Sequence, residues 1–228
     1  MALAFPKQKR QFPWILVGSL LLVFGVIGTA GWYGYKWYAY GEALPIDIPV
    51  LAASSEPKPD DSEVGAMQVM SHSVAAGEPR YLKIPGLGIE KARVFSADVD
   101  STGFVKSPIN KHDVSWFNKS ALPGADGVSL LSGYGANDAE DSIFSKLGSI
   151  APGSIIEIEL GNGDVVKYKV IDVLNLSLED MQDSGVDRLT ESAQAGKNGL
   201  NLTTRDGVWV PRYEQYSNRI IVRAVVVE

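Results

Sequence analysis

The chain has 228 residues, of which 45% are hydrophobic and 21% are charged, so it is long enough for one globular domain with an appendage and is neither disordered nor collagen-like. It contains no cysteine, which excludes disulfides, thiolate metal sites, iron–sulfur clusters and a thiol nucleophile. The 27 acidic and 21 basic residues give a net charge of −6, which argues against nucleic acid as a partner.

The first predicted element is a membrane-spanning helix over residues 14–35. This segment carries no charge, and a helix of about 22 residues is about 33 Å long, enough to cross the hydrocarbon core of a bilayer. Tryptophan and tyrosine stand at both ends, as is typical of the headgroup layer. Lys7, Lys9 and Arg10 precede the span, so residues 1–13 are expected in the cytoplasm of a single-pass plasma-membrane protein, with the C-terminal part outside the cell. The alternative is a cleaved secretory signal, whose apolar region is usually shorter.

Residues 36–77 are predicted to be a juxtamembrane segment followed by a flexible linker. From residue 41 onward the composition is rich in proline, serine, alanine and acidic residues and poor in large apolar ones. A flexible coil of about 37 residues has an r.m.s. reach on the order of 33 Å, so such a linker can hold a domain clear of the membrane surface. His72 lies in this linker, and we expect it to be solvated.

Residues 78–228 form a domain whose hydrophobic pattern is mostly that of β-strands. Strands are predicted at residues 81–84, 89–94, 104–105, 127–134, 154–160, 165–176, 200–205 and 219–227. Asn162-Gly163 is a tight-turn signal that predicts a hairpin, and short helical pieces are expected at 142–150 and about 187–195. The last strand is apolar on both faces, as in a strand covered on both sides. The domain is therefore predicted to be mainly β, a closed barrel of seven to eight strands with short helices.

An ordered set of motifs in this domain resembles the sortases, the membrane-anchored cysteine transpeptidases of Gram-positive-type cell surfaces. Each motif is weak alone, whereas their order along the chain is specific. The motifs are Tyr81-Leu82-Lys83-Ile84-Pro85, Leu87-Gly88-Ile89, Trp116-Phe117, Leu122-Pro123-Gly124, Gly127 to Gly133, Phe144-Ser145-Lys146-Leu147, Ile150-Ala151-Pro152-Gly153-Ser154, Tyr168-Lys169-Val170, Leu200-Asn201-Leu202-Thr203-Thr204 and Ser217-Asn218-Arg219-Ile220-Ile221-Val222-Arg223-Ala224. The resemblance implies a sortase-like barrel behind an N-terminal membrane anchor.

The resemblance also implies a catalytic set of three residues, of which this chain keeps one. Sortases use a cysteine thiolate as nucleophile, a histidine that protonates the leaving amine and an arginine that stabilises the oxyanion. Arg219 stands at the arginine position, but Tyr134 stands at the histidine position and Arg205 at the cysteine position. The sequence therefore resembles a catalytically degenerate member of the family.

The alternative is an active transpeptidase or hydrolase with a non-cysteine nucleophile. Thr203 and Thr204 carry the nearest hydroxyl groups, but a hydroxyl needs an adjacent base, for which Asp206 is the candidate. His112 precedes Trp116 in a loop, outside the histidine position. A tyrosine phenol, with a reference pKa of about 10, is a poor proton donor near neutral pH. We therefore expect a domain that is not an enzyme.

Strand pairing predicts what the two substitutions create. If residues 200–205 and 219–227 pair as antiparallel strands, Arg205 faces Arg219 with Cβ atoms about 5 Å apart. Two guanidinium groups so placed suit a carboxylate or phosphate, and the expected ligand is a sorting-signal peptide or an anionic cell-wall polymer. Two alternatives stay open: Arg205 pairs with Asp206 or another side chain and fills the cleft, or the domain is purely structural.

Five further residues are candidates for binding such a ligand. They are Thr203, Thr204, Asp206, Trp209 and Trp116. The aromatic segment 208–216 is expected to be a loop that covers the Arg205 end of the cleft. No cofactor and no metal are expected.

Overall fold

The computed structural model describes residues 14–45, 58–100, 103–137 and 141–227. The apolar N-terminal segment forms one helix, α1 (Trp14–Tyr40), and most of its side chains are exposed. Within it, Val17–Tyr40 has a mean hydropathy of 1.5 and is long and apolar enough to cross a membrane. The helix continues past the predicted end at residue 35, and Lys36 forms an ion pair with Glu42 at 2.7 Å. The predicted cytoplasmic residues 1–13 lie outside the described residues.

Eight strands form the closed barrel that the sequence predicts. They are β1 (Pro79–Ile84), β2 (Ile89–Ala97), β3 (Val114–Phe117), β4 (Val128–Ser132), β5 (Ile155–Leu160), β6 (Val165–Ser177), β7 (Gly199–Val210) and β8 (Gln215–Val226). Around the barrel the order is β1-β2-β3-β4-β7-β8-β6-β5. The β2–β3 and β4–β7 pairs are parallel, and the other pairs are antiparallel.

The helical segments other than α1 are short. α2 (Ala66–Ser71) precedes the barrel, and α3, between β6 and β7, consists of the consecutive turns Leu178–Asp180, Met181–Gly185 and Val186–Thr190. Two 3₁₀ turns are formed by Pro85–Leu87 and Leu147–Ser149. The predicted helix at 142–150 is therefore reduced to its last turn. The residues before it form turns closed by hydrogen bonds to the third preceding residue, since Ser145 N donates to Ser142 O and Leu147 N donates to Phe144 O, each at 3.0 Å.

The main hydrophobic core fills the barrel. Its fully buried members include Leu82, Ile84, Val94, Leu131, Leu147, Ile156, Ile158, Tyr168, Leu200, Leu202, Val222 and Ala224. A second cluster consists of Val105, Leu130, Met181, Leu189 and Ile221, and includes residues from β4, β8 and α3. Consecutive strand residues point to opposite faces, so β8 places Val222 in one cluster and Ile221 in the other. This confirms the prediction that the last strand is covered on both sides.

Residues 58–77 are not the flexible linker that their composition predicted. His72 Nε2 lies 2.9 Å from Val94 O, and its ring packs 4.6 Å from that of Phe95. Arg80 Nε donates to His72 O at 2.7 Å, and Asp60 pairs with Asn110 as an isolated bridge. Contacts of this kind are made by backbone atoms and one aromatic ring, so they can form in a segment that has few apolar residues. The expectation of a solvated His72 is therefore wrong, and the rest of the predicted linker, residues 46–57, lies outside the described residues.

The segment 208–216 is not the loop that was expected. β7 continues to Val210 and β8 begins at Gln215, and Trp209 pairs with Tyr216 across this extension of the hairpin. The predicted strand ended at residue 205, but the register shifts near Gly207, which has a φ of +79°, and the pairing resumes beyond it. Two smaller differences concern β3, which was not predicted, and residues 104–105, where only an isolated bridge joins Val105 to Val99.

Candidate functional site

The candidate site is a cleft where β4 ends and the extended β7–β8 hairpin begins. Arg205 on β7 and Arg219 on β8 are direct cross-strand partners, as the strand pairing predicted. Both side chains line one cavity of about 30 Å³, together with Ser107 and Tyr216. A cavity of this size has room for roughly two water-sized groups. The cavity therefore has room for a small group such as one carboxylate.

The Arg205 guanidinium lies within cation–π distance of two tyrosine rings. Its Cζ atom lies 5.6 Å from the ring centroid of Tyr134 and 5.5 Å from that of Tyr216. One guanidinium nitrogen donates a hydrogen bond to Ser107 Oγ at 3.2 Å. Burial lowers the pKa of Arg205, but an arginine still carries its charge at neutral pH. A cation with two cation–π contacts thus occupies the position where the family resemblance places a thiol.

Arg219, the arginine that the resemblance retains, has an aromatic partner of its own. Its Cζ atom lies 3.8 Å from the ring centroid of Phe104, which also lines the cleft. The cleft therefore combines two cations with aromatic surfaces, which suit a planar anion, and two carboxylates, those of Asp100 and Glu214, line the same cavity.

Tyr134, at the histidine position, lies between two glycines at which the backbone is closely packed against other parts of the domain. A Cβ at Gly133 would lie 2.8 Å from the Phe144 ring, and a Cβ at Gly135 would lie 2.6 Å from Arg205 O. Tyr134 itself is 7% exposed, and its carbonyl accepts a hydrogen bond from Phe144 N at 2.9 Å. The close packing on both sides holds the tyrosine ring against the guanidinium of Arg205.

The candidate hydroxyl nucleophiles face backbone carbonyls. Thr203 Oγ1 donates to Ile220 O at 3.1 Å, and Thr204 Oγ1 donates to Gly133 O at 2.9 Å. Both threonines are at least 98% buried within β7. A hydroxyl attacks efficiently only when a base takes its proton, whereas these protons are held by carbonyl oxygens. The arrangement stabilises the strands and does not prepare an attack.

Asp206 is the next residue on β7, and its side chain contacts two amides. Its carboxylate accepts hydrogen bonds from Asn175 Nδ2 at 3.0 Å and from Asn137 Nδ2 at 3.4 Å. Successive residues of a strand point to opposite faces, so the Arg205 and Asp206 side chains diverge. The expected alternative of an Arg205–Asp206 ion pair is not favoured by this geometry.

The two candidate tryptophans have different surroundings. Trp209 is half-buried, and its ring packs 5.5 Å from that of Tyr216 on the hairpin. Trp116 is 4% exposed and belongs to the core inside the barrel, so it is a packing residue and does not bind a ligand in the cleft. His112 lines a different cavity, beside Asp113 and Lys146, and supplies no imidazole to this cleft.

Sequence reasoning missed Ser107 and Phe104, and it included Tyr216 only as the last residue of the segment expected to cover the cleft. Tyr216 precedes Arg219 on β8, and an extended hairpin register would have placed it beside Arg205. Ser107 and Phe104 come from the segment after β2, and no local signal points to their approach. In the part of the chain that the structure describes, no group of three His, Cys, Asp or Glu residues is placed to hold a metal ion.

Comparisons with known proteins agree with this architecture. The family model of the sortase domain matches residues 82–227. No curated protein matches the sequence significantly. The chain is similar to a lid mutant of sortase A from Corynebacterium diphtheriae (21% identity over 71% of this chain and 76% of that chain, TM-score 0.48). It is also similar to sortase C-1 from Actinomyces oris (19% identity, 65% and 72%, TM-score 0.47) and to the Clostridium perfringens sortase D5 transpeptidase (15% identity, 66% and 79%, TM-score 0.48).

Proposed function

Because the chain belongs to the sortase family, we propose that it is a member whose cleft binds an anionic group and does not catalyse transpeptidation. The observation that carries the proposal is the placement of Arg205 directly opposite Arg219, with both side chains lining one cleft. The ligand is a carboxylate or phosphate carried by a sorting-signal peptide or by an anionic polymer of the cell wall. The aromatic rings around the two guanidinium groups support this assignment, because they restrict the cations to a few orientations.

The chemistry of the cleft argues against the family's reaction in this chain. The sequence contains no cysteine, and its two histidines, His72 and His112, contact other parts of the domain. Thr203 and Thr204 donate their hydroxyl protons to backbone carbonyls. An active enzyme with a hydroxyl nucleophile is the alternative function, and it would require both hydroxyls to change partners.

We infer that α1 anchors the domain in the plasma membrane as a single span. Its length and hydropathy fit a bilayer, and the basic residues Lys7, Lys9 and Arg10 before it favour a cytoplasmic N-terminus. The sortase-like domain then lies on the outer side, where sorting-signal peptides and wall polymers are found.

The binding proposal is tested with two anionic probes, a peptide with a free C-terminal carboxylate and a polyglycerol phosphate polymer. Affinity is measured for the full chain in detergent micelles, for Arg205→Ala and for Arg188→Ala. Arg188 is an exposed arginine on α3, so its replacement removes the same charge outside the cleft. Losing a charge-assisted hydrogen bond of about 1.5–3 kcal/mol weakens binding by about 10-fold to 100-fold in Arg205→Ala. We expect no comparable loss in Arg188→Ala, and equal or negligible binding by all three proteins would refute the anion site.

A second experiment addresses the enzymatic alternative. The chain is incubated with a sorting-signal peptide and an amine acceptor, and mass spectrometry is used to look for an acyl-enzyme or a cleaved peptide. We expect neither product, and any covalent adduct on Thr203 or Thr204 would overturn the proposal. Restoring both family residues, in Tyr134→His combined with Arg205→Cys, then asks whether the cleft still accepts the peptide. Turnover in the double variant alone would show that only the chemistry has been lost.

A further inference from the structure

The extended β7–β8 hairpin contacts the end of the membrane helix. Arg212 N donates a hydrogen bond to Tyr38 O at 3.2 Å, and Ala39 in the last turn of α1 is only 7% exposed. At Gly41, with φ of +69°, a Cβ would lie 2.5 Å from Trp209 O. The two backbones thus touch directly, and no side chain other than hydrogen fits between them at this point.

The end of α1 that the hairpin touches has the composition of a membrane–water interface. Aromatic residues are exposed through its last turns, namely Trp32, Tyr33, Tyr35, Tyr38 and Tyr40. Such rings favour the headgroup layer, because one part of each is apolar and another forms hydrogen bonds. If α1 spans the bilayer, its last turn lies at headgroup depth, and whatever is bonded to that turn lies close to the same depth.

The end of the hairpin, residues 208–214, is called the hairpin tip below. Val208 is 49% exposed and Tyr213 is 43% exposed, so an apolar and an aromatic side chain both face outward here. Arg212 is exposed as well, with its Cζ atom 5.3 Å from the Tyr213 ring. A cation beside exposed aromatic and aliphatic groups is the composition that binds the boundary between headgroups and acyl chains.

We propose that the hairpin tip is a second membrane contact, which lies in the lipid headgroup layer beside α1 and holds the barrel against the bilayer. The proposal rests on the inference that α1 is a membrane anchor. The partner of the hairpin tip is the lipid surface itself, because the tip lies next to the aromatic end of α1. The strand from Val210 back to Arg205 spans roughly 17 Å, so the cleft opens near the membrane and not at the end of a long tether.

The tip is also connected to the cleft through side chains. Trp209 packs on Tyr216, and Tyr216 lies against the Arg205 guanidinium. A change in the depth of the tip would therefore reach the cleft through one edge-to-face pair of aromatic rings. Anions that bind at Arg205 are expected to be groups presented close to a lipid surface.

The test uses the absence of cysteine in the natural chain, which allows one label for each variant. Val208→Cys and the matched control Val165→Cys receive an environment-sensitive fluorophore, in the full chain reconstituted into phosphatidylcholine–phosphatidylglycerol vesicles. The two valines are 49% and 50% exposed, but Val165 begins β6 at the end of the barrel away from the tip. We expect lipids with a nitroxide in the headgroup to quench the label at 208 several-fold more strongly than the label at 165. Equal quenching at the two positions would overturn the proposal.

A third label separates this proposal from the anchor on which it rests. Phe24→Cys lies in the middle of α1, where a nitroxide on the acyl chain quenches it if α1 spans the bilayer. Quenching at 24 without quenching at 208 would leave the anchor intact and refute the contact at the hairpin tip. Absence of quenching at 24 would refute both the anchor and the tip contact.

Discussion

Arg223 and Arg205, on neighbouring strands, are expected to differ in how well they tolerate the same substitution. Arg223 on β8 is 6% exposed, and its guanidinium donates to both carboxylate oxygens of Asp172 at 2.9 and 2.7 Å. That pairing raises the pKa of Arg223, whereas burial lowers the pKa of Arg205. A raised pKa means that folding favours the charged form, and a lowered pKa means that folding opposes it. Methionine, which is neutral and similarly long, should therefore be costly at Arg223 and tolerated at Arg205.

The expected magnitudes follow from the contacts that each substitution removes. At Arg223, two charge-assisted hydrogen bonds of about 1.5–3 kcal/mol each are lost, and the net destabilisation after relief of desolvation is about 2–3 kcal/mol. At Arg205, two cation–π contacts of about 1 kcal/mol each and one hydrogen bond of about 1 kcal/mol are lost. Desolvation of a buried ion costs several kcal/mol, and methionine recovers it. The stability of Arg205→Met should therefore lie within about 1 kcal/mol of that of the natural chain.

The measurement is urea unfolding of the full chain in nonionic detergent, followed by tryptophan fluorescence. Trp116, in the barrel core, reports on loss of the barrel. We expect the unfolding midpoint of Arg223→Met to fall clearly and that of Arg205→Met to stay near the natural value. An equal loss in both variants would refute the reasoning, because Arg205 would then be needed for the fold and its place in the cleft would no longer point to a ligand.

Three further outcomes are expected. Burial raises the pKa of Tyr168, so the stability that its neutral phenol contributes is complete below about pH 10 and is lost as the pH rises through the folded-state pKa; denaturation midpoints above about pH 10 should fall less steeply in Tyr168→Phe. Gly135→Ala places a Cβ 2.6 Å from a β7 carbonyl and should lower the free energy of unfolding by about 2 kcal/mol, which is seen as a lower thermal midpoint. Gly86→Ala, where the nearest atom lies 3.9 Å from the added Cβ, should be nearly neutral. Gly41→Ala should reduce headgroup quenching of the label at Val208→Cys, since a Cβ there collides with the hairpin; unchanged quenching would contradict the backbone contact.

Local patterns in the sequence were sufficient for the parts of the fold that depend on nearby residues. The charge-free segment predicted α1, and Asn162-Gly163 predicted the β5–β6 hairpin. The opposition of Arg205 and Arg219 also followed from pairing two adjacent strands. In each case the residues involved lie in one segment or in two strands that follow each other in the chain, so the local pattern was sufficient to predict the structure.

Contacts between distant segments could not be predicted in the same way. Ser107 reaches Arg205 from the segment after β2, and nothing in its sequence surroundings indicates that approach. Residues 58–77 dock on the barrel through backbone atoms and the His72 ring, so their polar composition misleads. The hairpin extension was missed because Gly207 looks like a strand end, while the register resumes after one irregularity.

The order of strands in the barrel has a consequence for how the domain matures after synthesis. β8 is the last strand in chain order, yet it lies between β6 and β7 and makes the most extensive pairings of the sheet. The parallel β4–β7 pair joins segments that are far apart in the chain. Bringing them together costs chain entropy before the strand pairing can stabilise the barrel. Barrel closure must therefore await the synthesis of β8, and the sheet remains open until that last strand is available. Pairing of the β8 segment is therefore the step that commits the chain to its native state.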